Sequence, residues 1–377
     1  MEKLHVPQGD FTLIRYPHRK KETLRAWDAA DELLLNELHV SKENLTSSQV
    51  VILNDGFGAL SVALSQHNPM VISDSSIALK AIQDNLKNNA IEESSVNGAS
   101  SSVNIKQDID FLLIKIPKSL AQLEQQLHEM REHLKPGSKI IAAGMVKVIH
   151  TSTLALFEKI IGPTTTSLAT KKARLIHCQF DESIKPGKNP YPSEYLLEKT
   201  NYRIINHAGV FSRESLDIGS RFLIEHLPAS EKKQTIVDLG CGNGVIGLIA
   251  AEKNPKACLI FTDESYAAIA SAKATFESAF GETRQADFKV TDCLAGIEDN
   301  SIDVILNNPP FHQHNAVSNQ VASQMFNESK RALKTGGELW VVGNRHLDYH
   351  LRLKRLFGNY VNIASNKKFI ILKAIKR

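Results

Sequence analysis

Four consecutive residues near position 310 carry the strongest chemical signal in the chain. They follow an apolar run, 302–307, and are Asn308, Pro309, Pro310 and Phe311. The Asn308 amide oxygen and the Pro309 carbonyl, which the next proline turns outward, are two acceptors at fixed spacing. With the ring of Phe311 beside them, they could hold a planar heterocycle by its amino group and leave the nitrogen lone pair facing an electrophile. The alternative is a strand that ends in a proline-rich turn.

A glycine-rich turn upstream is the second signal. Gly240, Gly242 and Gly244 alternate between a short buried strand and the start of an apolar helix, with Asn243 among them. Alternate glycines allow a ligand close to the backbone, and a helix start offers free N–H groups. The run from Gly242 to Gly247 also fits the G-x-G-x-x-G spacing of dinucleotide-binding enzymes. Asp238, just before the turn, favours the cationic amino-acid end of S-adenosylmethionine over a pyrophosphate.

Two further acids follow predicted strands. Asp263 ends the strand 259–263, where it could accept both ribose hydroxyls of a cofactor. Asp292 lies in the predicted strand 288–293 and could hold the adenine amino group. Each acid alone could equally be a helix cap or a turn former. Three acids after three strands, followed by the Asn-Pro-Pro-Phe segment, favour a cofactor site.

The order of these motifs along the chain resembles that in class I S-adenosylmethionine-dependent methyltransferases that act on amino nitrogens. The segment 206–224, with 26–31, 52–60 and 150–153, is similar to bacterial ribosomal RNA guanine-N2 methyltransferases, and the resemblance extends essentially from end to end. It implies methylation of N2 of a guanine in 23S rRNA, guanine 1835, with the base flipped and held by residues 308–311.

The resemblance also implies that residues 207–212 close over the cofactor. Phe211 would lie against the cofactor or the guanine ring, and Asp217 would line the cofactor pocket together with Asn308. The alternatives are that Phe211 is a core aromatic and that Asp217 pairs with Arg213. His312 is a candidate RNA contact.

The first half of the chain is a degenerate copy of the second. Matching segments occur in the same order: 51–60 with 237–246, 71–76 with 260–265, 110–118 with 303–311, and 134–137 with 333–336. Alternating short strands and helices predict an α/β fold of two tandem Rossmann-like methyltransferase domains, with doubly wound, mostly parallel sheets. We assign residues 1–180 to the degenerate domain, 181–200 to a linker and 201–377 to the catalytic domain.

Substitutions in the first copy remove the cofactor and base chemistry. Ile52 replaces the acid that precedes the glycine-rich turn, and Phe57 would crowd that turn. Lys115 stands in the segment that replaces residues 308–311, which we call the clamp. We therefore expect this domain to bind neither cofactor nor target base, and to serve either as an RNA-positioning platform or as a structural partner. Lys115 and Lys118 would suit RNA phosphates.

The charge balance is compatible with an RNA partner. The formal net charge is +4, with basic clusters that include Lys171, Lys172 and Arg174, and the pair 367–368. Each cluster could contact phosphates or be an ordinary solvated face.

Composition excludes several other classes. The chain of 377 residues is 42% apolar, which suffices for two cores. Its four cysteines have no metal-ligand spacing, so we expect reduced thiols, no metal and a cytoplasmic location. No segment suggests membrane insertion, and no obligate protein partner is evident.

Several functions remain open from the residues alone. The clamp also suits adenine-N6 or cytosine-N4 methylation and glutamine-N5 methylation of a protein. Another possibility is methylation of a guanine in 16S rRNA, as in a sister type of enzyme of the same family. A nicotinamide oxidoreductase would leave Asp238 and the clamp without a role, and a non-catalytic RNA-binding protein would show no turnover.

Overall fold

The computed structural model describes residues 3–18, 22–100, 105–310 and 316–377, and the chain divides into two compact units, 1–191 and 192–377. The elements of the first unit are β1 (Lys3–Val6), β2 (Gly9–Thr12), α1 (Ala29–Val40), β3 (Val50–Leu53), α2 (Ala59–Ala63), β4 (Met70–Ile72), α3 (Ser76–Asn88), β5 (Asn97–Ala99), β6 (Ile109–Lys115), α4 (Leu120–Arg131), β7 (Leu134–Met145), α5 (Thr151–Ile160), β8 (Thr164–Thr166) and β9 (Ala173–Gln179).

The second unit repeats this succession of strands and helices. Its elements are β10 (Ser193–Leu196), β11 (Arg203–Asn206), α6 (Ile218–Glu225), β12 (Thr235–Leu239), α7 (Val245–Lys253), β13 (Cys258–Asp263), α8 (Tyr266–Phe280), β14 (Ala286–Val290), β15 (Ile302–Asn307), α9 (Ala316–Ala332), β16 (Leu333–Asn344), α10 (Tyr349–Phe357), β17 (Val361–Ser365) and β18 (Phe369–Ile375).

Each unit is built on a seven-stranded sheet, and the two sheets have one topology. The strand orders are β5-β4-β3-β6-β7-β9-β8 and β14-β13-β12-β15-β16-β18-β17. The first five strands of each order are parallel, and β9 and β18 are antiparallel to both of their neighbours. The predicted fold of two tandem, mostly parallel Rossmann-like domains is confirmed. The antiparallel hairpin at one edge of each sheet is an addition that the alternation did not indicate.

Strand register relates the two sheets residue by residue. Leu53 of β3 is paired with Ile114 of β6, and Leu239 of β12 is paired with Asn307 of β15. The residue that follows Ile114 in one domain is Lys115, and the residue that follows Asn307 in the other is Asn308, directly after the end of β15. The aligned positions of the two copies thus occupy the same place in the two sheets.

Two strands differ from the sequence expectation. The strand expected at 288–293 is β14, which ends at Val290, so Asp292 lies in the loop beyond it. Strand β11 covers Arg203–Asn206 and pairs with β10, which lies inside the expected linker 181–200. A short strand in a proline-rich stretch has little local signal, and its pairing partner defines it.

Within the described residues, no helix has the length and apolar character needed to cross a membrane.

Candidate active site

The glycine-rich turn connects β12 to α7 at the carboxyl edge of the second sheet. Gly240, Gly242 and Gly244 have φ angles of 69°, 54° and 77°, a left-handed conformation that strains other residues. A Cβ atom at Gly244 would also lie 2.8 Å from the Cβ of Ala272. At Gly242 a Cβ atom would meet nothing within 4 Å. The backbone therefore requires these glycines and leaves open space over the middle of the turn.

Asp238 is a buried acid with one oxygen unused. Its Oδ2 accepts a hydrogen bond of 2.8 Å from the Gly247 N–H, while its Oδ1 is buried and has no partner among the described residues. Burial raises the pKa of Asp238 from 3.8 to about 8, and the charge of Asp263 adds to the rise against the effect of the Gly247 N–H. A buried acceptor without a partner is costly unless a ligand supplies one.

The acids that follow the next two strands face the same edge. Asp263 accepts from the Gly242 N–H and the Ser265 N–H, each at 3.0 Å. Asp292 accepts from the Gln324 amide at 3.0 Å. A carboxylate has about four lone-pair positions, so the Gln324 contact alone does not use the full acceptor capacity of Asp292.

Asn243 supports the turn from within. Its side-chain amide donates to the Asn206 Oδ1 at 3.0 Å, and its Oδ1 accepts from the Val245 N–H at 3.4 Å. It is buried, so in this structure it joins the turn to the end of β11.

Asn308 is the clamp residue whose side-chain hydrogen bonds the structure shows. Its Nδ2 donates to the Ser220 Oγ at 2.8 Å and to the Asp217 Oδ2 at 3.4 Å. Its Oδ1 is buried and has no hydrogen-bond partner within the described ranges. No donor among the described residues thus occupies the acceptor that the sequence assigns to an amino group. Pro309 is buried and Pro310 is exposed, whereas Phe311 and His312 lie outside the described residues.

The structure gives the surroundings of two candidate residues in the segment 206–224, Phe211 and Asp217. Phe211 is 64% exposed, so the alternative of a core aromatic is wrong. Asp217 caps α6, where its Oδ2 accepts from the Ser220 N–H at 2.9 Å. Sequence reasoning missed Ser220, whose only signal was a polar residue three positions after a capping acid.

The corresponding turn of the first domain is filled by protein groups. Asn54 keeps a left-handed φ of 64°, as Gly240 does. Asp55 is buried and accepts hydrogen bonds from four backbone N–H groups, those of residues 58–61, and from the Ser61 hydroxyl. A carboxylate of the chain itself thus satisfies the helix start that a ligand could otherwise use.

The surroundings of Lys115 contradict the expectation that it contacts RNA. Its ammonium lies 2.8 Å from Asp28 and 2.7 Å from Asp31, and its side chain is 14% exposed. Burial acts to lower the pKa of Lys115, but the attraction of the two acids outweighs it and raises the pKa. The sequence suggested phosphate binding because these acids are more than eighty residues away. An ammonium that is buried and already paired is not available to RNA phosphates.

The other basic candidates of the first domain lie at its surface or partly within it. Lys118 and Lys172 are exposed and have no carboxylate partner in the part of the chain that is described. Lys171 is exposed and lies 2.7 Å from Glu32. Arg174 is half-buried.

No group of three or more metal-binding side chains occurs among the described residues. The residues present do fit S-adenosylmethionine. Asp238 offers a buried acceptor suited to a cationic amino group, Gly242 leaves open space, and the carboxylates of Asp263 and Asp292 lie at or just beyond the ends of the neighbouring strands.

Comparisons with known proteins agree with this fold. The family profile described as RLMG N-terminal domain matches residues 1–182, and the profile described as Methyltransferase small domain matches residues 201–373. The structure of the T. thermophilus 16S rRNA N2 G1207 methyltransferase, in complex with AdoMet and guanosine, superimposes with a TM-score of 0.77 at 20% identity, covering 100% of this chain and 98% of that one. The fold and the profiles define a class I S-adenosylmethionine-dependent methyltransferase.

Full-length relatives define the family. The chain is 48% identical to the ribosomal RNA large subunit methyltransferase G of Streptomyces coelicolor, with 98% of this chain and 99% of the relative covered. It is 50% identical to the protein of that name from Klebsiella pneumoniae strain 342, with 97% and 96% covered. The chain belongs to the ribosomal RNA large subunit methyltransferase G family, and its cofactor is S-adenosylmethionine.

Proposed function

We propose that this enzyme methylates the exocyclic N2 of a guanine in 23S rRNA, guanine 1835, to give N2-methylguanosine. The observation that carries the proposal is the Asn308 Oδ1, a buried acceptor for which the described residues supply no donor, at the strand end next to the cofactor turn. An exocyclic amino group is the donor that this oxygen lacks. The names of the full-length relatives support the large-subunit RNA.

Asn308 and the Pro309 carbonyl accept the two N2 protons, which fixes the amino group and turns its lone pair towards the cofactor. Phe311 is proposed to stack on the flipped base. The bound cofactor would supply an electrophilic methyl group for the new bond to N2 and would accept the electron pair of the carbon–sulfur bond that breaks. N2 then loses a proton to solvent. The chain contributes orientation, since the difficulty of the nucleophile is the delocalisation of its lone pair into the ring.

We assign the cofactor to the second domain. Asp238, Asp263 and Asp292 would bind its amino-acid end, ribose and adenine in turn. The turn of residues 240–244 would lie against it, with Phe211 at the entrance.

A role for the first domain in positioning RNA is supported by a feature that both domains share. Lys172 and Lys368 stand directly before β9 and β18, each preceded by a second lysine. The carbonyl of Lys172 accepts from the Val146 N–H at 2.8 Å, and that of Lys368 from the Arg345 N–H at 3.1 Å. We propose that both dilysine turns contact RNA phosphates, with Lys118 and Arg174 as further contacts in the first domain.

The test is incubation of the protein and labelled S-adenosylmethionine with unmodified 23S and 16S rRNA and with undermethylated ribosomal subunits. The labelled nucleoside is then identified after digestion and its position mapped. Label in N2-methylguanosine from 23S rRNA alone is expected. Label in 16S rRNA, in another nucleoside or in protein would contradict the assignment, as would the lack of label on every substrate while the cofactor binds.

Asn308→Ala tests the clamp. Losing one oriented acceptor should slow methyl transfer by about 100-fold while the cofactor Kd changes little. Full turnover of this variant would rule out the clamp.

A further inference from the structure

The Asn308 side chain is held on its amide side by one short α-helix. Its Nδ2 contacts Ser220 and Asp217, both at the start of α6. We infer that Ser220 is a positioning residue, whose hydroxyl fixes the Asn308 amide so that Oδ1 faces the target amino group. This inference rests on the clamp proposed above.

The orientation of a side-chain amide decides whether it accepts or donates. One end of the amide is an acceptor and the other carries two donors. The Asp217 Oδ2 accepts the Ser220 N–H, so this oxygen acts as an acceptor and requires the NH2 end of Asn308 to point towards α6. The oxygen must then point away from the helix, where it is buried and receives no hydrogen bond from the part of the chain that is described. With the opposite orientation, Asn308 would offer N–H groups to an amino group that is itself a donor.

Ser220 makes the closer of the two contacts. Its Oγ is 2.8 Å from Nδ2, whereas Asp217 Oδ2 is 3.4 Å away and also accepts from the Ser220 backbone at 2.9 Å. Ser220 is 7% exposed, so water has little access with which to replace its hydroxyl. Asp217 therefore selects the orientation of the amide, and Ser220 holds it in place.

The first domain contains the same three-point arrangement with different chemistry. Lys115, at the strand position equivalent to Asn308, contacts Asp28 and Asp31, the N-cap and third residues of α1. Asp217 and Ser220 are the N-cap and third residues of α6. In the first domain, two acids hold an ammonium that has no acceptor to offer. In the second, one acid and one hydroxyl hold an amide whose oxygen stays available, and Ser220 is the member that permits an uncharged partner.

A double-mutant cycle separates positioning from a structural role. Single-turnover methyl transfer is measured at saturating RNA and cofactor for the wild type, Ser220→Ala, Asn308→Ala and the double variant. Alanine suits a helix interior, and the cap to the Ser220 backbone N–H does not need the side chain. Ser329→Ala is the matched control, since Ser329 is a buried helical serine whose hydroxyl donates to the Met325 carbonyl.

Ser220→Ala should slow transfer about tenfold with the cofactor Kd unchanged, and the loss should vanish in the Asn308→Ala background. Ser329→Ala should transfer at the wild-type rate. Equal losses from Ser220→Ala in both backgrounds would overturn the inference, and so would no loss in the wild-type background. Retained activity of Asn308→Ala would instead refute the clamp, so the two failures are distinguishable.

Discussion

Asp238→Asn should abolish a large pH dependence of stability in the cofactor-free protein. The folded pKa of about 8 exceeds the ordinary value of 3.8, so folding favours the protonated acid. The stabilisation is complete below pH 3.8 and is lost as pH rises to about 8, because the unfolded chain ionises first. An interval of about 4 pH units, at about 1.36 kcal/mol per unit, amounts to ~5 kcal/mol. The variant keeps an oxygen for the Gly247 N–H and carries no charge.

Urea denaturation of both proteins between pH 5 and 9, without cofactor, measures this effect. Relative to the wild type, the variant should gain about 1.4 kcal/mol per pH unit up to about pH 8 and then remain level. The same comparison for Asp299→Asn, at an exposed acid, is the control. Parallel profiles for the wild type and Asp238→Asn would refute the reasoning.

The same carboxyl should couple cofactor binding to proton release. At pH 7 it is mostly protonated in the free protein, and a cationic amino group beside it favours the carboxylate. Calorimetry in buffers of different ionisation enthalpy should therefore detect release of about one proton per cofactor bound. Asp238→Asn should bind more weakly and release none. Equal proton release by both proteins would assign the proton to another group.

The remaining predictions concern the turn, the degenerate domain and RNA. Gly244→Ala should lower the unfolding free energy by about 1–3 kcal/mol, because it combines left-handed strain with a 2.8 Å overlap, as denaturant melts would measure. Lys115→Met should cost about 3–5 kcal/mol by leaving Asp31 buried without its cation, with the cofactor Kd unchanged in calorimetry. Replacing both Lys367 and Lys368 by alanine should weaken rRNA binding and reduce its log-salt slope by about 1–2 in filter-binding titrations.

Matched variants isolate each cause. Gly358→Ala adds a side chain at a φ of 76° in open space, so it carries the same left-handed strain without overlap and should cost less than Gly244→Ala. Lys80→Met removes an exposed partner of Asp84 and should cost under about 1 kcal/mol. Lys273→Ala should leave the salt slope unchanged, because that lysine is outside the dilysine turns. Equal effects of a variant and its control would contradict the corresponding prediction.

The sequence alone determined the features that depend on local pattern. Alternating glycines after a buried strand identified a turn that needs left-handed backbone at Gly240, Gly242 and Gly244. The ordered repetition of strands and turns identified two copies of one fold, and the structure gives both sheets the same strand order. Such signals are readable because backbone conformation and the burial of strands are encoded within a few residues.

Only the tertiary structure decided which side chains meet across long sequence separations. Lys115 was expected at RNA phosphates, yet Asp28 and Asp31 bury and neutralise it. The Asn308 amide meets a helix start about ninety residues earlier in the chain, and no local pattern indicated that Ser220 would be its nearest partner. Strand pairing and helix packing set those distances, so the chemistry that a polar residue can perform depended on neighbours that the sequence does not place beside it.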